Sequence, residues 1–414
     1  MQKSRDVYAQ HISVVRSDLL KQHALPYLEA QLGMPTGSEL AEEALFRKQQ
    51  ILEVLKGTEQ DWSNWKWQLK NRIRDSHVLA EILGLSELER KRIDRVSQAY
   101  RWAISPYYLS LIRADYQNSP IYRQSVPDIR ELSPGGSLDP MNEAHTSPAP
   151  CVTRRYPDRM IINVTNQCAM YCRHCQRRRN IGEIDRHACL DDINSALEYV
   201  ANNPEIRDVL VTGGDALMLS NQVLNSILAK LHSIPHVEIK RLGTRVPVTL
   251  PQRITPGLCD ILRRYPPIYI NTQFNHPGEI TPDSKRACDA LIAAGAVLGN
   301  QAVLLQGVND NPYTMRKLNH ELLKTRIRPY YIFHAKDVQG TRHFRTSIST
   351  GLEIMQSMRG YTSGMAIPTY ILNAPGGLGK IPLMPNHILE VRSDRVVLKT
   401  WEGQLVEVEN EVQA

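Results

Sequence analysis

Between Arg159 and about Lys336 the sequence alternates short apolar runs with amphipathic stretches, and few folds accept that rhythm. The strand candidates are Met160–Val164, Asp208–Thr212, Glu238–Gly243, Ile268–Phe274, Ala302–Leu305 and Arg328–Phe333. Helical segments lie between them. Leu190, Ile193, Leu197 and Val200 share one apolar face, and Val223, Ile227, Leu228 and Leu231 share another. Alternation of this kind implies parallel strands joined by crossover helices. Six such units fall short of the eight that close a barrel, so the expected fold is α/β, an open partial (β/α)6 barrel. Its chemistry is expected in the loops at the strand C-termini.

The loop after the first strand carries Cys168, Cys172 and Cys175, a C-x3-C-x2-C spacing that uses three of only seven cysteines. An odd, uneven set does not read as a disulfide framework, and thiols that must stay reduced point to the cytoplasm. Three thiolates are one short of a closed tetrahedral zinc site and of the four cysteines usual for an electron-transfer cluster. A cubane with three protein ligands keeps one iron open to a further ligand. A zinc knuckle is the plainer alternative.

Other candidates fall at the same end of the strands. Thr212-Gly-Gly-Asp215 follows the second strand, where glycines permit close backbone approach. His334-Ala-Lys-Asp337 follows the sixth. Farther on, Pro375-Gly-Gly-Leu-Gly-Lys380 invites a phosphate-loop reading and fails it. Ala374 stands where the first glycine is required, and Ile381 stands where Ser or Thr should hold Mg²⁺. Lys380 reads better as an amine nucleophile with room beside it for a planar ring, against the alternative of a lysine in a surface turn. Arg154-Arg-Tyr-Pro-Asp-Arg159 offers guanidinium forks beside an aromatic ring, which suits a phosphate monoester. Arg177, two residues past the last cysteine of the trio, is placed to face the same site.

The flanks are organised differently. Residues 1–115 read as a helical N-terminal domain, with Leu40, Leu45, Ile51 and Leu55 at helical spacing and a tryptophan cluster at 62, 65 and 67. Leu83-Gly-Leu-Ser-Glu-Leu88 contains a helix stop and a Ser N-cap. Residues 116–150, rich in Pro, Ser and Gly, read as a linker or an arm over the surface. The partial barrel is expected over 151–345, and a C-terminal segment with a strand-rich tail over 346–414. Net charge of +7 is mild for 414 residues and fits small anions at least as well as nucleic acid, which is not expected as a partner. The N-terminus lacks a signal-peptide apolar run. The most apolar stretch, 291–308, is interrupted by Gly299, Asn300, Gln301 and Gln306, so it reads as helix, turn and strand rather than as a membrane span.

Taken together, the cysteine loop, Asp61-Trp-Ser-Asn-Trp-Lys-Trp-Gln68, Arg155-Tyr-Pro-Asp-Arg159, Asn271-Thr-Gln-Phe-Asn-His-Pro277, His343-Phe-Arg-Thr346 and Ala374-Pro-Gly-Gly-Leu-Gly-Lys380 resemble the lysine 2,3-aminomutase family. Its members are radical S-adenosylmethionine (SAM) enzymes that also use pyridoxal 5′-phosphate (PLP). The resemblance implies that Cys168, Cys172 and Cys175 hold a [4Fe–4S] cluster and that Lys380 carries PLP. It implies that Arg155, Tyr156 and Arg159 hold the PLP phosphate, that Gly213, Gly214, Asp215 and Gln301 border SAM, and that Arg177 pairs with the substrate α-carboxylate. It further implies a reductant such as ferredoxin or flavodoxin, and a homo-oligomer.

One departure bears on the substrate. Lysine-specific members hold the distal ammonium between two aspartates, at positions that here are Lys336 and Asn373. An ammonium facing Lys336 would be repelled, whereas a carboxylate would find a cation and an amide donor. Asp337 leaves open a register shifted by one residue, and Lys336 as a surface strand-end lysine is the plainer reading. The charge reversal resembles glutamate 2,3-aminomutases, which move the α-amino group of L-glutamate to C3, giving β-glutamate, through a PLP aldimine and a 5′-deoxyadenosyl radical. The alternatives are an aminomutase acting on lysine or another amino acid and, in a different class, an iron–sulfur binding or redox protein without turnover. No cysteine follows Cys288, so the additional zinc that some lysine-specific relatives hold with late cysteines is not expected.

Overall fold

The computed structural model describes residues 2–410; positions 411–414, the end of the expected C-terminal segment, lie outside them. A single sheet dominates the fold, with strands in sequence order: β1 (Val152–Arg154), β2 (Arg159–Thr165), β3 (Asp208–Gly213), β4 (Ile239–Gly243), β5 (Ile268–Thr272), β6 (Ala296–Leu304), β7 (Arg328–His334), β8 (Thr369–Asn373) and β9 (Lys380–Leu383). Strands β2 to β8 run parallel, each beside the next in sequence, as right-handed crossovers favour. The edge strands β1 and β9 are antiparallel. All six expected strands are present, and β8 adds a seventh parallel one. The strand expected at Ala302–Leu305 begins earlier, at Ala296. The polar run Gly299–Gln301, read as a turn, is strand whose side chains alternate between core and interior.

That alternation builds the interior. Met160, Ile162 and Val164 of β2 and Val209 and Val211 of β3 are buried against the helical layer. The positions between them, Arg159, Ile161, Leu210 and Thr212, line a central cavity. The covering helices have the expected amphipathic faces, with two adjustments. Leu190 is exposed at the start of helix Leu190–Ala201, and Leu224 rather than Val223 is buried in helix Asn221–Ser233. Capping is local and complete where it was legible. Gly84 ends helix Ser76–Leu83 at φ 71°, and Ser86 opens the next helix in a capping box with Glu89.

The N-terminal helices do not form a separate core. One buried cluster runs from Ile51 through Trp62 and Trp102 to Tyr370. The N-terminal part also braces the cysteine loop, where the Ala103 carbonyl accepts from the Tyr171 N–H at 3.0 Å, and the segment after it adds the Gln124 carbonyl, which accepts from the Arg173 N–H at 2.9 Å. The stretch expected to be a linker or a surface arm is packed in its first part and exposed at 133–138. It forms the helix Pro120–Ser125, buries Ile121 and Val126, and places Glu131 at 0% exposure. Its polar composition hides this, because what it buries includes carboxylates matched to arginines. The tail forms a separate antiparallel sheet, β10 (Ile388–Val391), β11 (Arg395–Lys399) and β12 (Leu405–Glu409), the last strand not having been anticipated. Among the described residues no helix is long and apolar enough to cross a membrane.

Candidate active site

A cavity of about 300 Å³ opens inside the sheet at the strand C-termini, and every sequence-predicted site residue lines it. At one end stands the loop after β2, with Cys168, Cys172 and Cys175 as free thiols. Its conformation is locked by buried ion pairs. Arg173 donates from Nε to Glu131 Oε1 at 2.9 Å, and Arg178 shares the same carboxylate. Burial alone would raise the Glu131 pKa, but Arg173 and Arg178 more than offset it and hold the carboxyl below its usual range. On the other side Arg72 donates to the Cys168 carbonyl at 2.6 Å, and Asp185 receives Arg72, Arg101 and Tyr171. The arginine run 177–179, a pattern usually found on surfaces, thus faces inward at 177 and 178.

The Gly-Gly turn after β3 presses against this loop. A Cβ on Gly213 would lie 2.4 Å from the Thr165 carbonyl oxygen, and one on Gly214 would lie 2.5 Å from that of Gln167. Gly213 also has φ +127°, so both positions require glycine. Asp215 is 4% exposed, and its carboxylate is fully engaged: Thr244 Oγ1 and the Leu217 N–H donate to Oδ1, and the Arg245 N–H donates to Oδ2. Gln301 of β6 lines the same region.

At the opposite end Lys380 opens β9. Its ammonium lies over Tyr156, Tyr331 and Phe333, at 5.6, 5.5 and 6.0 Å from the ring centroids. Burial, reinforced by Arg159, Arg241 and Arg155, pushes its pKa down to about 8, so the neutral amine is accessible near neutral pH. Arg159 stacks on Tyr156 at 4.0 Å. Arg155 Nη1 and Arg159 Nε are buried and have no hydrogen-bond partner among the described residues. Gly377, at φ +80°, has the Met141 carbonyl 2.4 Å from where a Cβ would stand, which fits the glycine-rich turn onto the 116–150 segment.

Between the two ends lie Arg177, Lys336 and Asn373. Lys336 donates to Gln176 Oε1. Burial first, then Arg177 and Arg155, push its pKa down to about 7, against the pull of Glu143. Asp337 points elsewhere, paired with Arg342 at 3.4 Å and Arg345 at 3.2 Å, so the register puts lysine and not aspartate in the cavity. Asn373 Nδ2 is a buried donor with no partner among the described residues. Arg177 is held by Glu143, with Nε 3.1 Å from Oε2 and Nη2 3.0 Å from Oε1. Glu143, Glu131, Arg241 and Arg245 were missed in the sequence. The strand-end position of Gly243-Thr-Arg245 was a usable signal for Arg245. Nothing local marked the two glutamates.

A parallel partial barrel with a three-cysteine loop after its first parallel strand defines a radical SAM enzyme, and the family comparisons agree. Residues 162–318 match the radical SAM superfamily, and residues 355–412 match the family described as lysine-2,3-aminomutase. The chain is 55% identical to a glutamate 2,3-aminomutase of Clostridioides difficile over 97% of its length and 95% of that protein's. It is 49% identical to an L-lysine 2,3-aminomutase of Fusobacterium nucleatum, covering 84% of this chain and 82% of that one. A similar enzyme of Clostridium subterminale is 47% identical over 83% of each chain. The chain belongs to the lysine 2,3-aminomutase family. It is a radical SAM aminomutase, an isomerase that works with a [4Fe–4S] cluster, SAM and PLP.

The residues present fit these groups. Three free thiols on one loop line the cavity, one ligand short of a closed tetrahedral zinc site, and suit a cubane that leaves one iron open toward the cavity. The orphaned arginine nitrogens beside Lys380 suit the phosphate of PLP.

Proposed function

We propose that this chain converts L-glutamate to β-glutamate, moving the amino group from C2 to C3. The observation that carries the reading is Lys336 and Asn373 lining the same cavity as Lys380, one a cation and the other a donor without a protein partner. The 55% identical relative named glutamate 2,3-aminomutase supports it. When bound, the cluster and SAM supply a carbon-centred radical, and PLP supplies the conjugated system across which an amino group migrates.

The chain's own residues bind, orient and exclude water. Cys168, Cys172 and Cys175 hold the cluster, and Gly213, Gly214 and Gln301 border SAM. Asp215, its carboxylate consumed by the Thr244 hydroxyl and two backbone N–H groups, shapes that border from behind. Lys380 provides the amine for PLP, with Arg155, Tyr156 and Arg159 around the phosphate. Arg177, oriented by Glu143, receives the α-carboxylate. Lys336 and Asn373 receive the γ-carboxylate, whose negative charge draws the Lys336 pKa back up and keeps the lysine protonated.

The expected setting is cytoplasmic, as a homo-oligomer served by a low-potential reductant such as ferredoxin or flavodoxin, with no nucleic-acid or membrane partner. The test is the double variant Lys336→Asp, Asn373→Asp in reconstituted protein. It should lose glutamate turnover by at least about a hundredfold, because burying a carboxylate against two others costs several kcal/mol. Undiminished glutamate turnover would sink the charge argument. In Lys380→Ala, loss of PLP absorbance is expected; unchanged absorbance would favour a redox protein without turnover.

A further inference from the structure

Arg245 follows β4 and reaches across the floor of the cavity to the cysteine loop. Its Nη1 lies 2.8 Å from Cys172 Sγ. Among the described residues it is the one charged side chain within hydrogen-bond distance of a sulfur of the cysteine trio. The guanidinium is fixed from every other side. Nε donates to the Gln273 carbonyl at 3.0 Å, and Nη2 donates to Gln124 Oε1 at 2.6 Å and Glu279 Oε1 at 2.7 Å. Its own backbone N–H is held by Asp215 at 2.7 Å. Glu279, at 0% exposure, is in turn satisfied by the Tyr108 hydroxyl at 2.6 Å and by the N–H groups of Asn275 and His276.

We propose that Arg245 and Glu279 form a buried charge lever on the iron–sulfur cluster, Arg245 favouring its reduced state through Cys172 and Glu279 opposing that pull. The inference rests on the three-cysteine cluster assignment made above. Reduction brings in one electron from an external low-potential reductant; no bond forms or breaks and no proton moves. The added charge spreads onto the sulfur ligands, so a cation donating to one of them stabilises the reduced form more than the oxidised. Arginine keeps its proton throughout, so its charge is constant during the transfer. Low-dielectric surroundings leave the charge poorly screened. Glu279 sits on the far side of the same guanidinium and offsets part of its field. A purely structural ion pair would contribute the same packing without a signed effect on the cluster.

The test compares full-length reconstituted protein with Arg245→Gln, Arg245→Lys and Glu279→Gln, held anaerobically without SAM. Iron and labile sulfide per chain are counted, and the cluster midpoint is read by dye-mediated titration with electron paramagnetic resonance. Arg245→Gln should be about tenfold harder to reduce, a midpoint about 59 mV more negative for one electron. Glu279→Gln should shift the midpoint to the positive side, and Arg245→Lys should fall between wild type and Arg245→Gln. Equal midpoints at full iron content, or shifts of the same sign for Arg245→Gln and Glu279→Gln, overturn the lever while leaving the cluster assignment intact. Should Arg245→Gln lose its cluster, the sign of the Glu279→Gln shift alone decides: positive supports the lever, zero or negative overturns it. A wild-type chain that takes up no iron overturns both.

Discussion

The two ends of the cavity treat charge in opposite ways. Around the cysteine loop nearly every guanidinium is closed by a carboxylate of the chain: Arg173 and Arg178 on Glu131, Arg72 and Arg101 on Asp185, Arg245 on Glu279. Around Lys380 the cations outnumber the anions. Arg155 and Arg159 keep buried nitrogens without partners, and Asn373 does the same with its amide. The first end is a scaffold whose charges are satisfied before any cofactor arrives. The second keeps donors without protein partners, which on the proposed function receive the phosphate of PLP and the carboxylates of the substrate. Glu143 stands at the border, shared by Arg177 at 3.0 Å and Arg155 at 3.7 Å.

This contrast orders the expected effects of mutation. The largest belong to the groups with no substitute. Replacing Cys168, Cys172 or Cys175 by Ala should reduce bound iron and turnover to background, checked by iron analysis and anaerobic assay. Next comes the scaffold. Glu131→Gln leaves Arg173 and Arg178 buried together without their carboxylate, and the expected cost is about 3–5 kcal/mol of stability, read in denaturant melts of the apo-protein. If those melts were unchanged, the loop would not depend on its ion pairs.

Smaller effects are expected at the open end, where the anion is a ligand. Arg159→Ala should weaken PLP binding about tenfold to a hundredfold, as loss of one charged hydrogen bond does, with thermal stability of the apo-protein little changed. A collapse of apo-protein stability would instead place Arg159 in the scaffold. The smallest effects are pH limbs. PLP loading of apo-protein should accelerate as pH rises through about 8, where Lys380 loses its proton. In the other direction, kcat/KM for glutamate should fall at high pH by about tenfold per unit once Lys336 is neutral. That limb should be absent in Lys336→Met.

The same contrast explains what could be read in advance. The cysteine spacing, the Thr212–Asp215 turn and the strand alternation are local patterns, and period and spacing expose them directly. Glu131 and Glu143 lie in a Pro-, Ser- and Gly-rich stretch whose polarity marks it as surface. Their burial is offset by arginines 42 and 34 residues away, so no local window contains both partners. Arg245 pairs with Cys172 across 73 residues for the same reason. The glycines of the Thr212–Asp215 turn were legible, but the close approach they permit is to the neighbouring loop at Thr165 and Gln167. The polar run Gly299–Gln301 looked like a turn because a strand facing a polar cavity lacks the apolar alternation of one facing a core.

The central claim is that the open end is built for two carboxylates. Its most direct test is anaerobic turnover of glutamate and lysine, side by side, by the reconstituted wild-type chain. Glutamate should be preferred by more than about a hundredfold in kcat/KM, as the cost of an unpaired buried charge requires. Equal rates, or a preference for lysine, would contradict it.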